Sequence, residues 1–255
     1  MRVPLADVGR HGRMELTFAS QNGRTVLEAA YCEVPFKITR LLNEHSEIPE
    51  LILMHSTAGL FGGDNLQCSI RVKQGARVRI TQQSATKIHP SEDRVAIQHT
   101  RIFVEAGAEL QLHLEPIIPF AESRLQQQTQ LYVEEGGRLS YWEGFMTGRV
   151  GHGESWQFNE LASETTLHYA DRMVYLDRFR LIPSSPQSST WTMGSAGYTG
   201  IGLHVGDDAR NRVSELHEAL PDGGIDALTD MVALVRIVAA SGPHFHRCRD
   251  VFSRR

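Results

Sequence analysis

Three carboxylates in this chain fall where a regular strand would turn them inward. Asp64 leads the alternating series Leu66, Cys68, Ile70; Glu143 follows Leu139 and Tyr141 and precedes Phe145; Asp177 lies between Tyr175 and Phe179. Side chains on a strand alternate faces, so each carboxylate points where its apolar neighbours point. An inward carboxylate is costly unless paired, hydrogen-bonded or hydrated. Two chemistries could use such groups. A hydrated series of oxygen ligands would bind a divalent cation weakly. Alternatively, two of Asp64, Glu143, Glu154 and Asp177 could serve as acid and base in glycoside hydrolysis. A purely structural role is also open: Asp64 capping the turn after Gly62-Gly63, with Glu143 and Asp177 paired to arginines such as Arg149 and Arg178.

Further polar groups cluster in short motifs. Glu154 follows Gly148-Arg149 and Gly151-His152-Gly153, where glycines let backbone approach backbone. It can contact a partner or cation, or simply pair with Arg149. The run from Thr81 to His89, with Thr86 and Lys87, is polar on both faces and reads as an extended segment. His244, His246 and Cys248 are spaced by two, which on an extended segment puts all three on one side; imidazole and thiolate suit Ni(II), Zn(II) or Cu ions. A polar tail after Ser241-Gly242 can equally be plain solvated chain. No phosphate-binding loop is present, and Gly197 to Gly202 has its glycines in the wrong order for a dinucleotide fingerprint. There is no G-x-S-x-G elbow and no H-E-x-x-H pattern, and Ser195 reads as loop.

The elements that would position these groups show in a repeat. Val72-Lys73-Gln74-Gly75-Ala76-Arg77-Val78 recurs as Val104-Glu105-Ala106-Gly107-Ala108-Glu109-Leu110 and as Val133-Glu134-Glu135-Gly136-Gly137-Arg138-Leu139, copies about 30 residues apart. Each copy sets a glycine turn between two segments of alternating polarity, the pattern of half-buried antiparallel strands. Asn22-Gly23, between Arg13 to Phe18 and Thr25 to Tyr31, reads as a type I′ hairpin turn. Beyond Pro186 the composition shifts to Ser and Gly through Gly206. Two stretches then show helical spacing: Asp208 to Leu220, with Val213, Leu216 and Leu220 on one face, and Ile225 to Ala240, with Leu228, Met231, Val232, Val235 and Val238 in phase. The expectation is a single domain over residues 1–255: a predominantly β body of winding, stacked antiparallel strands, β-helix-like, over about 10–206, a small C-terminal helical cap over about 208–240, and a short tail.

Composition narrows the classes. A net charge of −4 gives no electrostatic reason to bind a phosphate backbone, so nucleic acid is not an expected partner. The longest apolar runs, such as Leu51 to Met54, are too short to cross a bilayer, and the N-terminus has no apolar block of a signal peptide. Three cysteines, Cys32, Cys68 and Cys248, without C-x-x-C spacing, fit a reducing compartment, so a cytoplasmic protein is expected. Aromatic residues make up 7%, and Trp142, Trp156 and Trp191 are the only tryptophans, a thin supply of platforms for sugar rings.

Four motifs in fixed order resemble the urease accessory protein family UreD, also called UreH: Gly62-Gly63-Asp64, Thr81 to His89, Ile118-Pro119-Phe120, and Gly148-Arg149 with Gly153-Glu154. The resemblance runs from about His55 to Leu181. One departure is Leu114-Glu115-Pro116, where the family more often has a Leu-Pro-Asp-like stretch. The resemblance implies a β fold of winding strands with a few helices and no enzymatic activity. It also implies partners, namely UreF, the GTPase UreG and apo-urease, and a role in placing nickel. On that reading GTP belongs to UreG, no cofactor is tightly bound here, and Ni²⁺ is transient cargo. Asp64, Glu143 and Asp177 are then candidates for its path, with Gly62, Gly63, Thr81, Thr86, Lys87, Arg149 and Glu154 as motif or partner residues. His244, His246 and Cys248 lie outside the family pattern.

Overall fold

The computed structural model describes residues 9–42, 48–91, 93–183, 194 and 196–254; Ser195 and Trp191 fall outside them. The chain winds between two sheets. Strands β1 (His11–Gln21), β5 (Asn65–Val72), β8 (Ala96–Val104), β11 (Arg124–Val133) and β15 (Glu160–Tyr169) lie side by side in one sheet, and β4 (Glu50–His55), β6 (Arg77–Gln82), β9 (Glu109–His113) and β12 (Arg138–Met146) in the other. Within each series, neighbours are parallel and in register.

Stacking is β-helix-like, as the repeat implies, but pairing in the repeat runs parallel rather than antiparallel. Each glycine turn carries the chain from one sheet to the other, from β5 to β6, β8 to β9 and β11 to β12, so the two flanking strands face each other across the core instead of bonding edge to edge. Alternating polarity reports which face is buried and is silent on the direction of the neighbour. Gly75, Gly107 and Gly136 sit at φ +76°, +68° and +79°, where other residues are strained. The turns stack: the Gly75 amide donates to the Gly107 carbonyl and the Gly107 amide to that of Gly136. A glutamate of each following turn accepts from the turn before, Glu105 from the Gln74 amide and Glu134 from the Ala106 amide.

Antiparallel pairs occur at the flanks. The hairpin of β1 with β2 (Arg24–Cys32) turns at Asn22-Gly23, both at positive φ, as the sequence predicts. β15 folds back onto β16 (Arg172–Leu181) to end the first sheet, while the second continues through β17 (Tyr198–Val205), β19 (Val232–Ala239) and β18 (Gly224–Thr229).

The helical cap differs from expectation in two places. Helix α1 (Ala209–Ala219) forms as predicted, with Leu216 buried and Pro221 just beyond its end. Residues 225–240, however, are the strands β18 and β19. The first half of β19 is covered on both faces, Leu234 packing into the intersheet core and Val235 under the helices, with Ile237 also under them. The apolar run from Val232 to Val235, covered on both sides, is one that spacing alone cannot tell from a helix. The segment expected as a tail is helix α2 (Gly242–Ser253): Ser241 caps it by accepting from the His244 amide, and Pro243 occupies its first turn. Its Phe245 and Phe252 pack where Gly144, Gly200 and Gly202 carry no side chain. A Cβ on Gly200 or Gly202 would come within 3.0 Å of those rings.

Candidate functional site

The interior face of the first sheet is sorted into rows by the register. Nearest the glycine turns the rows are apolar: Phe18, Val72, Val104 and Val133, then Leu16, Ile70, Ile102, Leu131 and Leu167. The next two rows are different. One reads Cys68, Thr100, Thr129, Thr165, Asp177 and the other Leu66, Gln98, Gln127, Ser163, Phe179 across the same strands. From the opposite sheet, Glu143 on β12 faces these rows. Its carboxylate accepts from the Thr165 hydroxyl at 2.6 Å and from the Gln127 amide at 3.2 Å.

Two cavities of about 30 and 60 Å³ lie along this lane and share Ile117, Gln127, Glu143 and Gly144, so they meet at Glu143. The first extends to Asp177, the second past Thr100 and Gln98 to Thr86, His55 and Glu115. Roughly 10–15 Å³ of such space accommodates one water, so both can be wet. Gln98 Oε1, on the wall of the second cavity, is buried without a protein hydrogen-bond partner, which is the environment water satisfies. Burial pushes the Glu143 carboxyl above its ordinary range; the bonds from Thr165, Tyr141 and Gln127 pull the other way, and the charge of Asp177 adds to the rise. The arrangement offers oxygen ligands in a confined space with room for water, with one carboxylate at its middle and one at its end.

The structure brings Glu143 and Asp177 into one cavity. Asp64 is elsewhere. Its carboxylate accepts from the backbone amides of Arg10 at 3.0 Å and Phe61 at 2.9 Å, so it caps the Gly62-Gly63 turn and lines neither cavity. That turn needs its glycines: Gly63 is at φ +91°, and a Cβ on Gly62 would meet the Ser91 Cβ at 2.3 Å. Thr86 is buried and lines the second cavity, accepting from the Gln82 amide; Lys87 is exposed, and Thr81 faces outward, donating to Glu50.

Arg149 and Glu154 pair side by side across the short ribbon of β13 (Gly148–Arg149) and β14 (Glu154–Ser155), and that pairing holds the Glu154 carboxyl below its usual range. Arg149 also lies over Phe120. Phe120 meets His89 edge-on, His89 stacks on Phe61 at 4.2 Å, and Arg10 lies over Phe61. All four sequence motifs therefore converge on one corner of the winding, as a ladder of rings closed by arginines.

His244, His246 and Cys248 do not share a face, because helical spacing of two turns consecutive members some 200° apart. Cys248 is buried under α2, whereas His246 bonds Glu115 at 3.0 Å, with Arg249 on the other carboxylate oxygen. No group of three metal-ligating side chains forms among the described residues. Sequence reasoning passed over Gln98, Thr100, Gln127, Thr129, Ser163, Thr165 and Glu115. The signal for most was available: polar residues at matching places on the apolar phase of successive repeat strands. Among the described residues no tryptophan lines the cavity with Glu143 and Asp177, whose aromatic lining is Phe145 and Phe179; Trp142 packs on Phe245 and Phe252, and Trp156 on Phe158.

The fold and its interior define the class as a wound β scaffold with a polar interior lane. The sequence model of the family described as UreD urease accessory protein matches residues 10–254, and the chain belongs to that family. It is 30% identical to the urease accessory protein UreD of Deinococcus radiodurans over 94% of this chain and 88% of that protein. To UreD of Acetivibrio thermocellus it is 32% identical over 69% and 67% of the two chains, and to UreH of Helicobacter hepaticus 32% over 64% of each. These relatives are named accessory proteins. No helix among the described residues is long and apolar enough to cross a membrane.

Proposed function

We propose that this chain is a non-catalytic scaffold in the cytoplasm that, with UreF and UreG, binds apo-urease and assists nickel insertion, Ni²⁺ passing along the interior lane. The observation that carries this reading is the in-register series Thr100, Thr129, Thr165 and Asp177 faced by Glu143, in space wide enough for water. Late first-row dications bind imidazole and thiolate tightly, so a route for transit is better built from oxygen ligands that release the ion. Energy from GTP is UreG's contribution on this view, and neither nucleic acid nor membrane is a partner.

The test is to replace Glu143 with Gln and Asp177 with Asn, which removes charge and keeps shape. Both variants are expected to fold and to recruit UreF, UreG and apo-urease, and to leave urease with less nickel, read by metal analysis of the purified enzyme. Full nickel content with both variants would refute the conduit.

A further inference from the structure

The end of the lane at Asp177 is occupied. Arg236 on β19 extends the cross-strand row Glu143, Ile201, Arg236 of the second sheet. From there it reaches the last strand of the first sheet, its Nη2 lying 3.0 Å from the Asp177 carboxylate and donating to the Tyr175 hydroxyl at 3.1 Å. The Asp177 side chain is 19% exposed and that of Arg236 50%. The guanidinium therefore stands between solvent and the lane's terminal carboxylate. Val238, next on the same face of β19, is also exposed, because the second sheet runs on past the last strand of the first.

We propose that Arg236 is a gate: in the isolated chain it holds Asp177 and shuts this end of the lane to dications, and the lane opens there only when the guanidinium leaves. This rests on the conduit reading. The physical argument is competition. A fixed cation on Asp177 uses the oxygen that a metal would take and repels a second positive charge a few ångströms away. The same guanidinium is half in water, so its release does not require unfolding of the core, and a carboxylate presented by a protein docking over this end would draw it off by exchanging one charge-assisted pair for another. Tyr175 anchors the resting position, since its buried hydroxyl bonds the same nitrogen.

The experiment is equilibrium dialysis of the purified full chain against Ni²⁺, with no urease or accessory protein present. Arg236→Gln keeps a hydrogen-bond donor for Asp177 and drops the charge; Arg236→Met keeps the stem alone, and both are checked by thermal melting. Each is expected to bind Ni²⁺ about tenfold tighter than the parent. The gain should vanish when Asp177→Asn is added, while Arg236→Lys should stay close to the parent. Gln and Met variants that bind no tighter than the parent, or a gain that survives Asp177→Asn, would overturn the gate. Failure of the conduit reading is separate, appearing as fully loaded urease with Glu143→Gln and Asp177→Asn.

Discussion

Two neighbouring parts of one interior face make a natural contrast. Near the glycine turns, Ile70, Ile102, Leu131 and Leu167 form a dry row; one step along the same strands, Cys68, Thr100, Thr129, Thr165 and Asp177 form a polar one. Backbone, register and stacking are identical in the two. The dry row shows that the winding needs nothing polar inside, so the hydroxyls and carboxylates of its neighbour cost desolvation that stability does not require. What the pair teaches is that the fold and the lane are separable.

The largest effect should come from the dry row. Ile102→Ala is expected to lower unfolding free energy by about 2–5 kcal/mol, through lost burial and the cavity left behind; urea denaturation reads it directly. A shift below about 1 kcal/mol would mean that the dry row is not what holds the coils together.

A second polar group sharpens the contrast because the protein itself supplies its partners. His113 on β9 bonds Ser140 through Nε2 at 3.0 Å and Ser253 of α2 through Nδ1 at 3.2 Å, and Ser253 donates onward to the Arg249 carbonyl. Nδ1 therefore carries the proton and Nε2 accepts. Burial, with help from Arg79 and Arg249, lowers the His113 pKa from 6.5 to about 4. A base with a depressed folded pKa costs stability as acid is added, so stability should fall as pH drops from about 6.5 towards about 4, by about 3 kcal/mol. In a variant with His113→Asn that slope should flatten; an unchanged slope assigns the acid sensitivity to other groups.

In the lane itself, Thr129→Val makes one rung like its dry neighbour. Stability should stay within about 1 kcal/mol of the parent, since Val nearly keeps the shape and removes one buried hydroxyl, while nickel delivered to urease falls. A larger loss of stability would show that the lane's hydroxyls are structural.

The smallest effect is expected for Glu143→Gln, because bonds from Thr165, Tyr141 and Gln127 offset much of the burial. A carboxyl with a raised folded pKa favours the folded state below the unfolded value of about 4.5 and gives that up as pH rises through the folded one. The parent should therefore lose slightly more stability than the Gln variant between pH 4.5 and neutrality, measured by paired urea titrations. The opposite sign would place Glu143 in a charge-stabilising site.

Legibility in the sequence followed the same division. The strands and stacked turns were readable because Gly75, Gly107 and Gly136 recur with alternating flanks. Pairing direction was not, since alternation carries no sign for it. Glu143 and Asp177 stood out as charges on an apolar phase, but Asp64 has the same phase and a local role: two backbone amides claim it before the strand begins. The neutral rungs were overlooked because a lone Thr or Gln in a strand is unremarkable until register aligns it with others. Helix α2 was hidden behind polar His244 and His246, although Ser241, Pro243 and the spacing of Phe245, Cys248 and Phe252 mark its cap and buried face.

The stacked turns carry one more implication. With each glycine turn bonded to the next, the chain can lengthen or shorten only by whole windings, each adding about 4.8 Å along the stack. Reach is then a counted quantity. The four rungs from Thr100 to Asp177 span roughly 14 Å, three such steps, and duplication or loss of one repeat would move the far mouth by a full step while leaving every remaining rung in register. Such a device alters its length as a ruler does, one division at a time.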